Sequence, residues 1–242
     1  MSGFLPCALV PTYDNPRTIR EVVERIRVHV RDVIVVDDGS ADAGREAVAA
    51  LGQEGLAVVA RRARNGGKGA AVKDGLRMAQ ARGFTHAIQL DADGQHDDQQ
   101  IPAFLDVASK NPEALILGEP VFDETAPPIR LRARRFSRFW TDLETGGRFI
   151  HDPLCGFRVY PLGAVGRLGA MGDWMDFDIE IAVKLVWEGC PVVNVPTKVR
   201  YFSPEQGGVS HFRMVRDNVR ISWCHTRLCA GALLRALRGR LR

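Results

Sequence analysis

The 242-residue sequence has no apolar run approaching the ~20 residues needed to cross a bilayer, so a membrane-spanning protein is not expected. Nor does it open on a basic leader followed by an apolar stretch, so a secretory signal is not expected either. It has no C-x-x-C pair. The five cysteines (Cys7, Cys155, Cys190, Cys224, Cys229) are scattered and odd in number. That argues against a disulfide framework or a cysteine zinc site, and for reduced, mostly buried thiols in a cytoplasmic protein. Internal repeats and low-complexity tracts are missing as well. With 45% hydrophobic and 26% charged residues, the composition is that of an ordinary globular chain and not of a disordered one. What is present suffices for one substantial core and falls short of two full-sized domains.

The net charge of +4 is modest but unevenly placed. Arg130, Arg132, Arg134, Arg135 and Arg138 form one cluster. In 213–242 eight arginines face a single acid, Asp217. Such clusters point to an anionic partner.

Short apolar runs at 7–10, 33–36, 56–60, 87–90 and 115–117 alternate with helix-like segments at 17–30, 41–53, 69–82 and 99–110. Unbroken apolar strands separated by helices predict an α/β fold with a mostly parallel sheet covered on both faces. After Pro127 and Pro128 an arginine-rich helix is expected over 129–143, carrying Phe136, Phe139 and Trp140. A strand at 157–160, a helix at 177–188 and a strand at 192–195 follow. The pattern divides the chain into a main domain, 1–212, and a basic amphipathic helical tail, 213–242. On that tail Ala230, Leu233, Leu234, Leu237 and Leu241 share a face opposite Arg235, Arg238 and Arg242.

Each of the first four expected strands ends in a polar cluster: Pro11-Thr12-Tyr13-Asp14-Asn15, Asp37-Asp38-Gly39-Ser40, Asn65-Gly66-Gly67-Lys68-Gly69 and Asp91-Ala92-Asp93-Gly94-Gln95-His96. In an open parallel sheet all carboxyl ends meet at one edge, where ligands bind. Asp91, Asp93 and Gln95 offer only oxygen, which selects a hard cation such as magnesium or manganese. A plain strand-end turn, with Asp91 capping the next helix, is the other reading. Asp38 can accept hydrogen bonds from a base or ribose, while Ser40 or Asp42 is suited to cap the helix that follows. The 65–69 stretch is neither a P-loop, since Gly69 follows Lys68, nor a dinucleotide fingerprint. It reads as a flexible connection into a helix, with Lys68 available to a phosphate.

The ordered set P-T-Y, V-V-D-D-G-S, N-G-G-K-G-A-A, L-D-A-D-G-Q-H, C-G-F-R and F-D-I-E, spread over roughly residues 5–200, resembles the family 2 glycosyltransferases. The likeness is greatest to the branch acting on dolichyl and polyprenyl phosphates. It implies a GT-A, Rossmann-like fold, an inverting mechanism, and a GDP- or UDP-sugar donor with Mg2+ or Mn2+. By the same resemblance Pro11, Tyr13 and Asp38 hold the nucleotide, Asp91 lies near ribose and diphosphate, and Asp93 and Gln95 continue the metal site. Asp152 and Cys155-Gly156-Phe157-Arg158 fall near the sugar and acceptor phosphate, and Asp178 and Glu180 in the helix closing the acceptor side. Residues 200–212 resemble a lid over the diphosphate. The sequence differs from the branch at Asp14-Asn15, at an insertion over 202–206, and in the missing pair of C-terminal membrane spans.

A lipid-phosphate acceptor is already anionic and needs no strong base; Arg158 and Arg200, with the arginines of 130–135, would position it. A hydroxyl acceptor would need a carboxylate to take its proton, with Asp152 and Asp178 as candidates. The blander readings are an N-cap before Pro153 for Asp152 and a solvated helix face for Asp178 and Glu180. Aromatics interleaved with arginines suit peripheral contact with the inner face of the cytoplasmic membrane, although simple packing would also use them. Nucleic-acid binding is not expected, since no recognised motif accompanies the charge. The alternatives are a nucleotidyltransferase, which would carry a glycine- and arginine-rich loop where Pro11-Thr12-Tyr13 stands, and a non-catalytic nucleotide-sugar-binding protein.

Overall fold

The computed structural model describes residues 3–121, 128–198 and 213–239, with the backbone alone for 128–130. Its strands are β1 (Pro6–Thr12), β2 (Val33–Asp37), β3 (Val58–Arg61), β4 (His86–Gln89), β5 (Leu115–Val121), β6 (Arg158–Pro161) and β7 (Val192–Lys198). They form one sheet in the order β3-β2-β1-β4-β6-β5-β7. All neighbours are parallel except β6, which runs antiparallel to both β4 and β5. The helices are α1 (Ile19–Arg27), α2 (Asp42–Gln53), α3 (Lys68–Ala81), α4 (Ile101–Lys110), α5 (Pro128–Thr145), the single turn α6 (Leu162–Val165), α7 (Phe177–Trp187) and α8 (Met214–Leu237). The mostly parallel sheet flanked by helices is thus as expected.

Strand side chains alternate between faces, and here both faces are apolar. Cys7, Leu9, Ile34, Val36 and Ala87 pack under α3 and α7, in a core that extends to α8. Ala8, Val10, Val33, Val35 and Ile88 point the other way, into the core built by α1, α2 and α4. Helix α1 meets it with Ile19, Val22, Val23 and Ile26, an i, i+3, i+4, i+7 stripe. All five cysteines are free and four are buried. Burial pushes the Cys7 and Cys155 thiols up to about 12, so both stay protonated.

Helix α8 also has a core-facing side. It buries Ile221, Cys224, His225, Leu228 and Ala232 and packs along α5 and α7. His225 Nδ1 lies 2.7 Å from the buried Glu144 carboxylate of α5. The apolar face read from the sequence is a second one, exposed at Leu233, Leu234 and Leu237. The helix carries apolar residues on two sides, and its partners decide which side is core. No described helix is long and apolar enough to cross a membrane.

Candidate active site

Register places the polar clusters together. Thr12 pairs with Asp37 and Asp37 with Arg61, while the Leu90 amide donates to the Leu9 carbonyl. The residues just beyond β1, β2 and β4 therefore reach one edge of the sheet. A cavity of about 600 Å³ lies there, bordered by Pro11, Tyr13, Asp38, Lys68, Asp91, Asp93, Gln95 and Asp178. Arg134, Phe136 and Trp174 complete its far side.

The loops around the cavity are tied to each other. The Asp38 carboxylate accepts from the amides of Gly66 (2.9 Å) and Gly67 (2.7 Å) and forms an ion pair with Arg62 (2.9 Å). Burial raises its pKa, and these three partners pull the other way. The cap expected of Ser40 or Asp42 is not made, since no side chain caps α2 from its own N-terminus. Asp14 reaches across instead: its carboxylate accepts from the Ala41 amide (2.7 Å), and its own amide donates to Ser40 Oγ (2.8 Å). Asp14 sits at φ 49, the one positive-φ residue besides glycine among those described. These bonds hold that conformation beside the site. The 65–69 stretch is not a loose connection either. Gly67 has φ 102, and a Cβ there would lie 2.4 Å from the Asp173 carbonyl oxygen, so glycine is what lets α3 start against the 173–176 turn.

Lys68 opens α3 with its ammonium buried among carboxylates, 2.9 and 3.2 Å from the two Asp91 oxygens and 3.0 Å from Asp178 Oδ2. Burial alone would lower its pKa; the charges of Asp178 and Asp91 outweigh that and hold it above the ordinary lysine value. Burial would likewise raise the Asp91 carboxyl, but Lys68 and His96 hold it well below the usual range. His96 Nε2 stands 3.6 Å from Asp91 Oδ2. Burial and the neighbouring Asp91 charge raise Asp93, whose Oδ1 accepts from the Gln95 amide (3.0 Å). Behind Asp91 the chain passes so close at Gly156 that a Cβ would fall 2.4 Å from Asp91 Oδ2. Two carboxylates and an amide bordering one cavity fit a hard cation completed by ligand oxygens. A second grouping, Asp176, Glu180 and Cys224, already has its charge balanced by Lys184 and Arg227 at Glu180.

Residues 7–165 match the model of glycosyl transferase family 2. The chain belongs to this family. A polyprenol monophosphomannose synthase of Mycolicibacterium smegmatis is 30% identical over 235 residues, covering 88% of this chain and 82% of that protein. An undecaprenyl-phosphate mannosyltransferase of Micrococcus luteus is 33% identical over 101 residues, 40% of this chain and 42% of the relative. Among solved structures, glucosyl-3-phosphoglycerate synthase from Mycobacterium tuberculosis in complex with phosphoglyceric acid superposes with a TM-score of 0.70 at 17% identity, over 94% of this chain and 81% of that one. The same enzyme with Mn2+, UDP-glucose and phosphoglyceric acid gives 0.68 at 18% identity, over 96% and 79%. At such identities the likeness is one of fold, and the fold is GT-A.

In this family 2 glycosyltransferase two expected site residues lie elsewhere. Arg158 is fully buried behind the site. Its guanidinium donates to the carbonyls of Cys155 (2.6 Å), Asp178 (2.6 Å) and Pro153 (2.8 Å), so it fastens a turn and does not face an acceptor. Asp152 does not border the cavity. One of its oxygens accepts from the Leu154 amide (2.9 Å) and the other meets Arg134 (2.5 Å), which does border it. Glu180 turns to the Gly172 amide and Lys184. Arg200 and the 200–212 segment lie outside the described residues. Trp174, missed in the sequence, borders the cavity beneath Arg220, whose guanidinium stands 4.0 Å from its ring. A lone tryptophan between two glycine-containing turns has no periodicity to reveal it.

Proposed function

We propose that this glycosyltransferase moves a sugar, with inversion, from a GDP- or UDP-sugar to a lipid-phosphate acceptor at a membrane surface, using Mn2+ or Mg2+ held by Asp91, Asp93 and Gln95. One observation carries the reading: oxygen donors, a buried lysine and an arginine converge on a single cavity beside exposed aromatics. The cation would neutralise charge developing on the departing diphosphate. Pro11 and Tyr13 border the place of the base, Asp38 fixes the 65–67 loop around it, and Lys68 is within reach of the diphosphate. Arg134, anchored by Asp152, faces the acceptor phosphate. Asp178 is not needed as a base for an anionic acceptor, and its contact with Lys68 weakens it as one. The relatives' names, polyprenol monophosphomannose synthase and undecaprenyl-phosphate mannosyltransferase, support the acceptor class. The Mn2+ and UDP-glucose in the GT-A neighbour support the donor class.

The membrane part of the proposal rests on α5 and α8. Helix α5 exposes Phe136, Phe139 and Leu143 at i, i+3, i+7, and α8 exposes Val215, Val219 and Trp223. Between them lies a groove of about 330 Å³, bordered by Phe136, Trp140 and His225. Phe136 borders the main cavity too, so an acceptor phosphate placed there could lay its tail along the groove.

The test is metal-dependent release of UDP or GDP from a donor panel in the presence of a polyprenyl phosphate. The expected result is release from one nucleotide class that requires both Mn2+ and the lipid. Release unaffected by the lipid would remove the acceptor assignment, and release without a divalent cation would remove the metal. Vesicle flotation addresses the membrane face. Phe139 is 56% and Trp223 62% exposed, so Phe139→Glu and Trp223→Glu should leave the fold intact. Each should weaken partitioning to anionic vesicles by roughly tenfold. Unchanged flotation of the double variant would count against this face.

A further inference from the structure

We propose that Lys68 is an internal counter-cation that keeps a divalent metal off Asp91 until a nucleotide diphosphate draws it away, so that metal and donor binding are interdependent. The inference rests on the proposed metal role of Asp91 and Asp93 and goes beyond it.

The Lys68 ammonium lies within 3.2 Å of both Asp91 oxygens and 3.0 Å from Asp178 Oδ2, and its side chain is only 16% exposed. It therefore has little water to fall back on. Asp91 has nowhere to retreat, because Gly156 passes directly behind it. With the ammonium this close to both Asp91 oxygens, a cation bound to Asp91 would be its near neighbour if Lys68 stayed. In a poorly solvated site that repulsion is weakly screened. If Lys68 leaves Asp91 without a new partner, it gives up one of its two carboxylates for nothing in return.

A diphosphate resolves both difficulties. It offers the ammonium new oxygen partners and supplies the oxygens that Asp91, Asp93 and Gln95 leave open on the metal. Asp178 stays at the first turn of α7 as the partner Lys68 can keep while releasing Asp91. Linkage then requires that nucleotide tighten metal binding by the same factor that metal tightens nucleotide binding.

The experiment is a titration of the full chain with Mn2+, following free Mn2+ by its paramagnetic resonance signal, with and without saturating UDP or GDP. Wild type should bind Mn2+ weakly alone and about tenfold or more tightly with nucleotide. Lys68→Met should bind Mn2+ alone about tenfold more tightly than wild type, with most of the nucleotide enhancement gone. Lys68→Arg, which keeps the charge, should stay near wild type. Asp178→Asn covers the case in which Lys68→Met does not fold. There Lys68 leans on Asp91 alone, so Mn2+ binding without nucleotide should weaken and the enhancement by nucleotide grow. Equal Mn2+ affinity of wild type and Lys68→Met without nucleotide would overturn the inference and leave the metal site standing. So would an enhancement unchanged in Asp178→Asn. Failure of every variant to bind Mn2+ even with nucleotide would remove the metal site itself, and this inference with it.

Discussion

Asp93→Ala is expected to lower sugar transfer by about 10²–10³-fold with little change in stability. Asp93 is a better probe than Asp91 because it has fewer structural duties. Its carboxylate accepts from the Gln95 amide, a contact between near neighbours. Burial and the adjacent Asp91 charge raise its pKa, so both work against its charged form. Removing it relieves that repulsion. Removing Asp91 would instead leave Lys68 with Asp178 alone and open space behind Gly156, so lost activity there could follow from rearrangement. The measurement pairs initial rates at saturating donor and Mn2+ with a thermal unfolding curve for each protein. Equal rates for wild type and Asp93→Ala, at equal unfolding temperatures, would refute the metal role of this aspartate.

The site was legible in the sequence where position alone decides it. Tyr13, Asp38, Lys68 and Asp91 each follow an apolar strand, and parallel strands deliver such residues to one edge whatever the details of packing. Sequence left hidden what depends on the third dimension. Strand β6, Arg158-Val159-Tyr160-Pro161, is buried throughout, so no exposed alternating face marks its reversed direction. Helix α8 has two apolar sides, Ile221-Cys224-Leu228-Ala232 and Val219-Trp223-Leu233-Leu237, and only contact with α5 and α7 makes the first of them core. The His225–Glu144 pair that helps to lock it joins residues 81 apart. Sequence offers Lys68 as a cation available to a phosphate, but its clasp on Asp91 and Asp178 needs three separate elements brought together.

Arg158→Met is expected to destabilise the protein by about 3–5 kcal/mol, because it removes the charged centre of a buried hydrogen-bonded network. For a chain of this size that corresponds to a fall in unfolding temperature of roughly 10 °C. Methionine fills the space of the arginine stem, so the loss is not one of volume. It leaves the carbonyls of Pro153, Cys155 and Asp178 without their donor in a place no water reaches, and takes a guanidinium from within 3.9 Å of the Asp178 carboxylate. Arg158→Lys keeps the charge but replaces a planar fork with one ammonium, which cannot span three carbonyls, so it should recover only part of the loss. The same turn carries Gly156, which backs Asp91, and activity should therefore fall along with stability. An arginine that held the acceptor phosphate would behave differently: its loss would raise the acceptor KM and leave the unfolding temperature where it was. Thermal unfolding beside acceptor KM separates the two, and an unshifted unfolding curve would return Arg158 to the acceptor site.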